Sequence, residues 1–312
     1  MSLCFLVTGA NGDIGQSIGR ILRETWPEAA VAGADSAGHW PGALVFSAMH
    51  ALPRAHDPDY PAALTRLGSG YDLIIPSSEP ELERLAVDPG VAAGLPLLMV
   101  RPDLASCFLD KLSTARWLGA HELAPPWTAP LSEATAGNLP LLAKPRRGAG
   151  GRGQEVLRTP ARLALAQVES PDGMVAQELL EVQDQEYTCA VFAQDGAVRS
   201  VALRRWLTGG HTGKAELAEV PVITHLLEAI AKASRLEGCI NVQLRLTPKG
   251  PRVFEINPRL SSTVMMRHRL GFRDLVWWVE ARLLGRPSQM GPLAPAGTTV
   301  YRTFGELVVP PP

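Results

Sequence analysis

Apolar and polar residues along this chain fall into blocks, and the blocks change character after the first hundred or so residues. Leu3-Cys4-Phe5-Leu6-Val7-Thr8 is a continuous apolar run that breaks at Gly9-Ala10-Asn11-Gly12. An amphipathic stretch from Ile14 to Arg23 follows, so the pattern predicts strand, tight turn and helix. Val31 to Ala34 and Ala43 to Phe46 read as further short strands, and Asp72-Leu73-Ile74-Ile75-Pro76 as a buried one. Ser77-Ser78-Glu79 is fit to cap a helix from Glu79 to Ala86. Leu97 to Val100 reads as another strand, and Pro102-Asp103 opens a helix running to about Leu118. Strands alternating with helices predict a Rossmann-like parallel α/β sheet over this part.

Beyond Pro125-Pro126 the rhythm becomes that of hairpins. An apolar strand, Leu139 to Ala143, precedes a glycine-rich loop from Arg146 to Gly153. Then come a strand near Glu155 to Leu157, a helix near Ala161 to Val168 and a strand from Met174 to Leu179. Two long strands, Glu186 to Gln194 and Ala197 to Arg204, flank Asp195-Gly196, a strong hairpin signal. A second hairpin pairs Cys239–Leu246 with Arg252–Ile256, and the helix Val222 to Leu236 lies between the two. This half is predicted to be α+β with antiparallel sheets.

Composition narrows the function. The 312 residues suffice for more than one packed unit. With 30 Lys+Arg against 31 Asp+Glu, the net charge is −1, which excludes bulk attraction to nucleic acid or to a membrane surface. Any phosphate must therefore be held locally. Cys4, Cys107, Cys189 and Cys239 lie far apart with no metal-ligand spacing, so a zinc site or disulfide framework is not expected. No basic leader precedes the first apolar run and no run approaches bilayer length, so the expected location is the cytoplasm.

Four segments carry candidate chemistry. The turn from Gly9 to Gly15 sits where a strand enters a helix, and its amides can hold a phosphate. With Asp35 beyond the second strand it suits a dinucleotide, which opens a second reading as an NAD(P)-dependent dehydrogenase or epimerase. Those enzymes need a Tyr-x-x-x-Lys pair. Tyr60, Tyr71, Tyr187 and Tyr301 are followed four positions later by Leu64, Ile75, Val191 and Gly305, so the pair is missing. Lys144 ends an apolar strand and can donate to phosphate oxygens, and the loop after it lets backbone amides close over a triphosphate. Gln177-Glu178-Leu179-Leu180, followed by Glu186, offers backbone groups and carboxylates to an adenine and a ribose. The fourth segment is the most specific. Glu255 and Asn257 are two apart on one strand and therefore face the same side, and Gln243 comes from the hairpin partner. Three converging oxygens suit Mg²⁺, which keeps a few protein ligands beside phosphate and water. Arg259, two residues further, can sit beside a transferred phosphoryl group.

Together these residues resemble the ATP-grasp superfamily, most closely its carbamoyl phosphate synthetase large-subunit branch, over nearly the whole chain. The resemblance implies a pre-ATP-grasp domain over residues 1–103 and an ATP-grasp domain over 104–312. The latter divides into a nucleotide lobe of about 125–181 and a metal and substrate lobe of about 182–312. It implies that Lys111 and Lys144 contact ATP phosphates, that Gly150-Gly151 form the flexible loop, and that Glu178 and Leu180 hold adenine and Glu186 the ribose. Gln243, Glu255 and Asn257 would bind Mg²⁺, with Mn²⁺ as a substitute, and Arg204, Arg205 and Arg259 would serve the substrate carboxylate and its acyl phosphate. The implied activity is ATP-dependent joining of a small carboxylate to an amine, or less often a thiol, with release of ADP and phosphate. Dimers are common among such enzymes. The region from His211 to Glu219, with Gly209-Gly210 and Lys214, would line the acceptor side, with His211 a surface loop residue and not a catalytic base. A single ATP-grasp unit without a glutaminase argues against carbamoyl phosphate synthesis itself.

Overall fold

The computed structural model describes residues 3–37, 41–88, 90–91, 94–148, 150–169, 172–181 and 185–303. The first sheet is parallel. β1 (Cys4–Thr8) leads through α1 (Asp13–Thr25) to β2 (Ala30–Asp35), and β3 (Ala48–Ala51) follows. The chain then passes through α2 (Tyr60–Gly68) to β4 (Leu73–Pro76) and α3 (Glu79–Val87). Strand order is β3-β2-β1-β4, so the chain reverses direction across the sheet between β1 and β4. A crevice opens at the carboxyl ends of such a strand pair.

α4 (Pro102–Phe108) and α5 (Lys111–Ala120) lead into a four-stranded antiparallel sheet. It contains β5 (Thr128–Pro130), β6 (Leu141–Pro145), β7 (Glu155–Leu157) and, after α6 (Pro160–Glu169), β8 (Met174–Glu178), in the order β5-β8-β6-β7. The third sheet is the largest. It holds β9 (Gln185–Gln194), β10 (Ala197–Thr208), β11 (His211–Ala218) and, after α7 (Pro221–Ala233), β12 (Gly238–Thr247) and β13 (Gly250–Asn257). α8 (Val264–Arg269) and α9 (Asp274–Leu284) precede a short edge strand, β14 (Thr299–Tyr301). The order is β13-β12-β9-β10-β11-β14.

β9 sits in the middle of this sheet and is apolar on both faces, because helices cover it on both sides. Ile223, Leu227 and Ile230 of α7 are fully buried, and Trp277 of α9 lies 6.0 Å ring to ring from Phe192. The β9–β10 turn, Asp195-Gly196, has φ of +50° and +78°, the geometry a two-residue hairpin loop requires. No helix among the described residues is long and apolar enough to cross a membrane. None of the four cysteines is in a disulfide, and burial raises the thiol pKa of Cys107 to about 11 and those of Cys189 and Cys239 further.

Three expected elements differ. The helix expected from Pro102 to about Leu118 is two helices, because Asp110 leaves the helical region. Its carboxylate instead caps α5, accepting the amides of Leu112 and Ser113 at 2.9 and 3.1 Å. Ala43–Phe46 is not a strand: a 3₁₀ turn spans Pro41–Leu44, and the strand comes later, at Ala48–Ala51. Val45 and Phe46 are buried because they pack under Gly19 and Gly33, where a side chain would collide with them. Leu97–Val100 forms only one bridge, Ile74 to Leu97; its apolar residues fill the core without extending the sheet.

Candidate active site

The large sheet decides which side chains meet. Cross-strand register places Gln243 directly opposite Glu255 on one side and Thr188 on the other. Asn241 lies opposite Asn257, and Arg245 opposite Glu186. Since alternate residues share a face, Glu186, Gln243, Arg245, Glu255 and Asn257 all project from one side. Arg205 joins them: its guanidinium donates to Glu186 Oε1 (Nε at 2.9 Å) and to Gln243 Oε1 (3.0 Å). Arg204, one residue earlier, belongs to the opposite face. Its guanidinium carbon stacks 4.9 Å from the centre of the Trp206 ring, which also carries Lys214 Nζ at 4.5 Å. The structure therefore separates the two arginines that the sequence pairs.

Lys144 reaches this face from β6. It is 2% exposed and donates to Gln177 Oε1 at 2.8 Å and to the Phe254 carbonyl at 3.2 Å. That carbonyl is available because β13 is bulged. Gln243 pairs with Glu255 and Leu244 with Val253, so Phe254 is the extra residue. Burial first of all lowers the Lys144 pKa to about 8; Glu255 opposes the fall and Lys111 adds to it. Lys111 itself is buried at the start of α5 and donates to the Gly148 carbonyl at 2.6 Å.

The glycine loop approaches the turn between β10 and β11. Gly150 and Gly151 adopt φ of +74° and +69°, and Gly210, at the β10–β11 turn, comes within 4.0 Å of the Gly150 carbonyl, measured from a β carbon built on it. His211 is exposed but starts β11, so the residue expected in a surface loop begins a strand whose tip faces the glycine loop. Ala149 lies outside the described residues. Glu178 accepts the Trp127 amide at 3.2 Å. The Leu180 carbonyl accepts from Arg245 Nη1 at 3.1 Å, and that of Glu181 from the same nitrogen at 2.6 Å.

Arg245 is a residue that the sequence reading missed. Its guanidinium ties the crossing between the two antiparallel sheets to Glu186, whose Oε2 it holds at 2.9 Å. Counting two positions on from Gln243 along the same strand would have found it. Arg259 also has an unforeseen partner. Its Nη2 donates to Glu79 Oε1 at 2.6 Å, reaching from the end of β13 to the first turn of α3. Nothing local to Glu79, apart from its place in a capping sequence, signals that contact.

The donor set can be tested against a divalent cation. Among the described residues no three His, Cys, Asp or Glu side chains cluster, so a site must use amide oxygens too. Glu255, Asn257 and Gln243 offer one carboxylate and two amide oxygens on one face, the oxygen-only chemistry that Mg²⁺ prefers. Gln243 Oε1 already accepts from Arg205, and a cation would share that oxygen. Asn241 Nδ2 is buried in the same row as Asn257 and lacks a hydrogen-bond partner. It is a donor suited to a phosphate oxygen. The residues fit the ion.

At the β1–α1 turn, a β carbon on Gly15 would lie 2.4 Å from the Gly9 carbonyl, so the turn packs tightly on itself. Asp35 is occupied by the chain: it accepts the amides of Asn11 and Ala37 at 2.9 and 3.0 Å.

A parallel sheet followed by two antiparallel sheets is the ATP-grasp fold, which the chain shares with solved ATP-grasp structures. Residues 169–302, somewhat under half of the chain, match the model of the family described as ATP-grasp in the biosynthetic pathway with Ter operon. The chain is similar to N5-carboxyaminoimidazole synthetase from Staphylococcus aureus complexed with ADP, with a TM-score of 0.75 and 14% identity over 93% of this chain and 79% of that one. It is also similar to L-amino acid ligase from Bacillus licheniformis (0.73, 18%, 90% and 74%). A third likeness is to the biotin carboxylase domain of 2-oxoglutarate carboxylase from Hydrogenobacter thermophilus in complex with MgADP and bicarbonate (0.73, 13%, 93% and 71%). No curated protein matches the sequence. The dehydrogenase or epimerase reading finds no support in this fold.

Proposed function

We propose that this protein is a Mg²⁺-dependent ligase that uses ATP to activate a small carboxylate as an acyl phosphate and passes the acyl group to an amine. The reading treats residues 1–103 as the pre-ATP-grasp domain and 104–312 as the ATP-grasp domain of a cytoplasmic homodimeric enzyme. One observation carries it. The β12–β13 register turns Gln243, Glu255 and Asn257 to one face, and Lys144 is bonded to the carbonyl of Phe254 beside them.

Lys144 and Lys111 would receive the triphosphate, and the amides of the Gly148–Gly153 loop would close over it, excluding water from a hydrolysable intermediate. Mg²⁺ held by Glu255, Asn257 and Gln243 would neutralise charge on the phosphates as the γ-phosphoryl group moves. Arg205 is held in place by Glu186 and Gln243 and points into the cleft, positioned for the carboxylate that accepts the phosphoryl group. Glu186, braced by Arg205 and Arg245, keeps lone pairs that would serve ribose hydroxyls, and Arg245 fixes the Leu180–Glu181 crossing that would serve the adenine. The carbamoyl phosphate synthetase-like assignment rests on Asn241-Val242-Gln243 and on Glu255 to Arg259.

The direct test is ADP release with Mg²⁺ across paired panels of carboxylates and amines. Release that requires both partners is expected, and nucleotide binding without turnover on any pair would refute the ligase reading.

Lys144 supplies a pH signature. Burial disfavours its charged form and a triphosphate favours it, so nucleotide binding must raise its pKa. The protein is expected to take up a proton when ATP binds at pH 8 to 9, and affinity falls as pH rises through about 8. Calorimetry in buffers of different ionisation enthalpy measures this uptake, which Lys144→Met removes. Binding with no proton uptake in that range contradicts the role.

A further inference from the structure

Two arginines stand side by side where β6 enters the glycine loop, and the fold gives them different partners. Arg146 is fully engaged. Its Nε donates to Asp110 Oδ1 at 3.2 Å and its Nη2 to Oδ2, a bidentate pair. The same Oδ1 caps α5, accepting the amides of Leu112 and Ser113. Burial alone would raise the Asp110 pKa, yet Arg146 and those amides hold it below the usual carboxylate range. Asp110 therefore has little left for a second cation, and the nearest nitrogen of Arg147 stays 4.0 Å from Oδ2.

Arg147 is held much more loosely. Among the described residues its side chain makes no hydrogen bond, and its other carboxylate neighbour is Glu83 of α3, at 3.7 Å. The Arg147 side chain is half-exposed, and an ion pair this long and this wet is weak. Burial raises the Glu83 pKa, and Arg147 opposes that rise without cancelling it. A guanidinium carries several N–H donors in a planar fork, so Arg147 keeps its donor set in reserve. With Asp110, Arg146 and Gly173 it lines a cavity of about 370 Å³ at the base of the loop. A lysine of the proposed nucleotide site is next to this place. Lys111 follows Asp110, and its Nζ donates to the carbonyl of Gly148, the residue after Arg147. Neighbouring α carbons are about 3.8 Å apart, so a group held by Lys111 lies within the span of the Arg147 side chain.

We propose that Arg147 reads the terminal phosphate of the nucleotide: with a triphosphate bound it leaves Glu83 and donates to that phosphate, and so makes the protein select ATP over ADP. This rests on the ligase reading, in which Lys111 and Lys144 hold the triphosphate, and it adds the residue that distinguishes a triphosphate from a diphosphate. The competition between partners decides the move. Glu83 offers a partly solvated carboxylate at 3.7 Å. A terminal phosphate offers more charge and oxygens that match the planar fork. Arg146 cannot move in the same way, because leaving Asp110 would strand a carboxylate that is 5% exposed. With ADP bound the extra phosphate is missing, and Arg147 keeps Glu83. Of two adjacent arginines, one braces the base of the loop and its neighbour is free to answer the ligand.

The test is calorimetry on the full chain with Mg²⁺, titrating ADP and a non-hydrolysable ATP analogue. The parent is expected to bind the analogue more tightly than ADP. Arg147→Met is expected to narrow that preference about ten-fold or more, while ADP affinity stays within about two-fold. Arg147→Lys keeps the charge and loses the fork, so it should recover only part of the preference. Full recovery would show a field effect in place of a contact and overturns the inference. Glu83→Gln removes the resting partner and is expected to tighten the analogue about two- to five-fold, a gain that no folding defect produces; weaker binding in that variant counts against the inference. A parent without the preference, or an analogue-to-ADP ratio unchanged in Arg147→Met, overturns it and leaves the ligase reading standing. A parent that binds neither nucleotide overturns both.

Discussion

Replacing Glu255 with alanine is expected to reduce ADP release by about 10²–10³-fold, the range seen when one preorganised electrostatic group is taken from an active site. Glu255 is the one carboxylate of the proposed metal face, opposite Gln243 and two residues before Asn257. An amide oxygen neutralises no charge, so Gln243 and Asn257 cannot substitute for it. Glu255 is also only partly buried, at the open end of the sheet, so the fold should survive the change. The measurement is single-turnover ADP formation across a Mg²⁺ titration, with thermal unfolding as the control. Glu255→Gln should recover packing but not Mg²⁺ dependence. Unaltered turnover with an unchanged Mg²⁺ midpoint would remove the metal assignment and the mechanism built on it.

The largest expected stability effect lies just beyond the site, at Arg267. Its guanidinium and the Asp274 carboxylate are both 1% exposed, joined at 2.7 to 3.0 Å through Nε and Nη2. Arg267 Nη1 also donates to Ser261 Oγ at 2.8 Å and Thr263 Oγ1 at 3.3 Å, ordering the loop that follows Arg259. Arg267→Met leaves Asp274 charged and alone in the core, which costs about 3–5 kcal/mol. In a chain of this size that lowers Tm by on the order of 10 °C. The double variant Arg267→Met with Asp274→Leu should recover most of the loss, because an apolar pair of similar volume needs no compensation. A single variant within about 1 kcal/mol of the parent in a denaturant titration would show the pair to be dispensable.

Much of the cleft was legible because its logic is local. Glu255 and Asn257 share a strand, Gln243 lies in the strand paired with it, and period-two alternation brings the three to one face. The same rule, applied consistently, separates Arg204 from Arg205 and adds Arg245. Those two errors came from treating adjacent arginines as a unit and from stopping the count at Gln243. Other features could not be read this way. Glu79 meets Arg259 across 180 residues of chain, and Asp13 meets Arg302 only after the whole fold has closed. The break at Asp110 had a local cause, a capping carboxylate, but a short polar residue inside an apolar-periodic stretch fits a helix interior and a cap alike. Leu97–Val100 shows the limit of apolar runs: burial needs only a place in the core, whereas a strand needs a neighbour with free backbone groups.

The extra residue at Phe254 has a bearing on how this sequence can change. Its carbonyl, released from cross-strand pairing, holds the lysine that would receive the triphosphate. The ring adds a distant cation–π contact, 5.7 Å from Lys144 Nζ, but the hydrogen bond is to the main chain and any side chain that fits would preserve it. Dropping one residue here would let the hairpin pair without interruption, keeping Gln243 opposite Glu255 while withdrawing the acceptor from Lys144. Selection acting at this point therefore counts residues before it inspects them: the length of the segment is constrained, and its lettering is comparatively free.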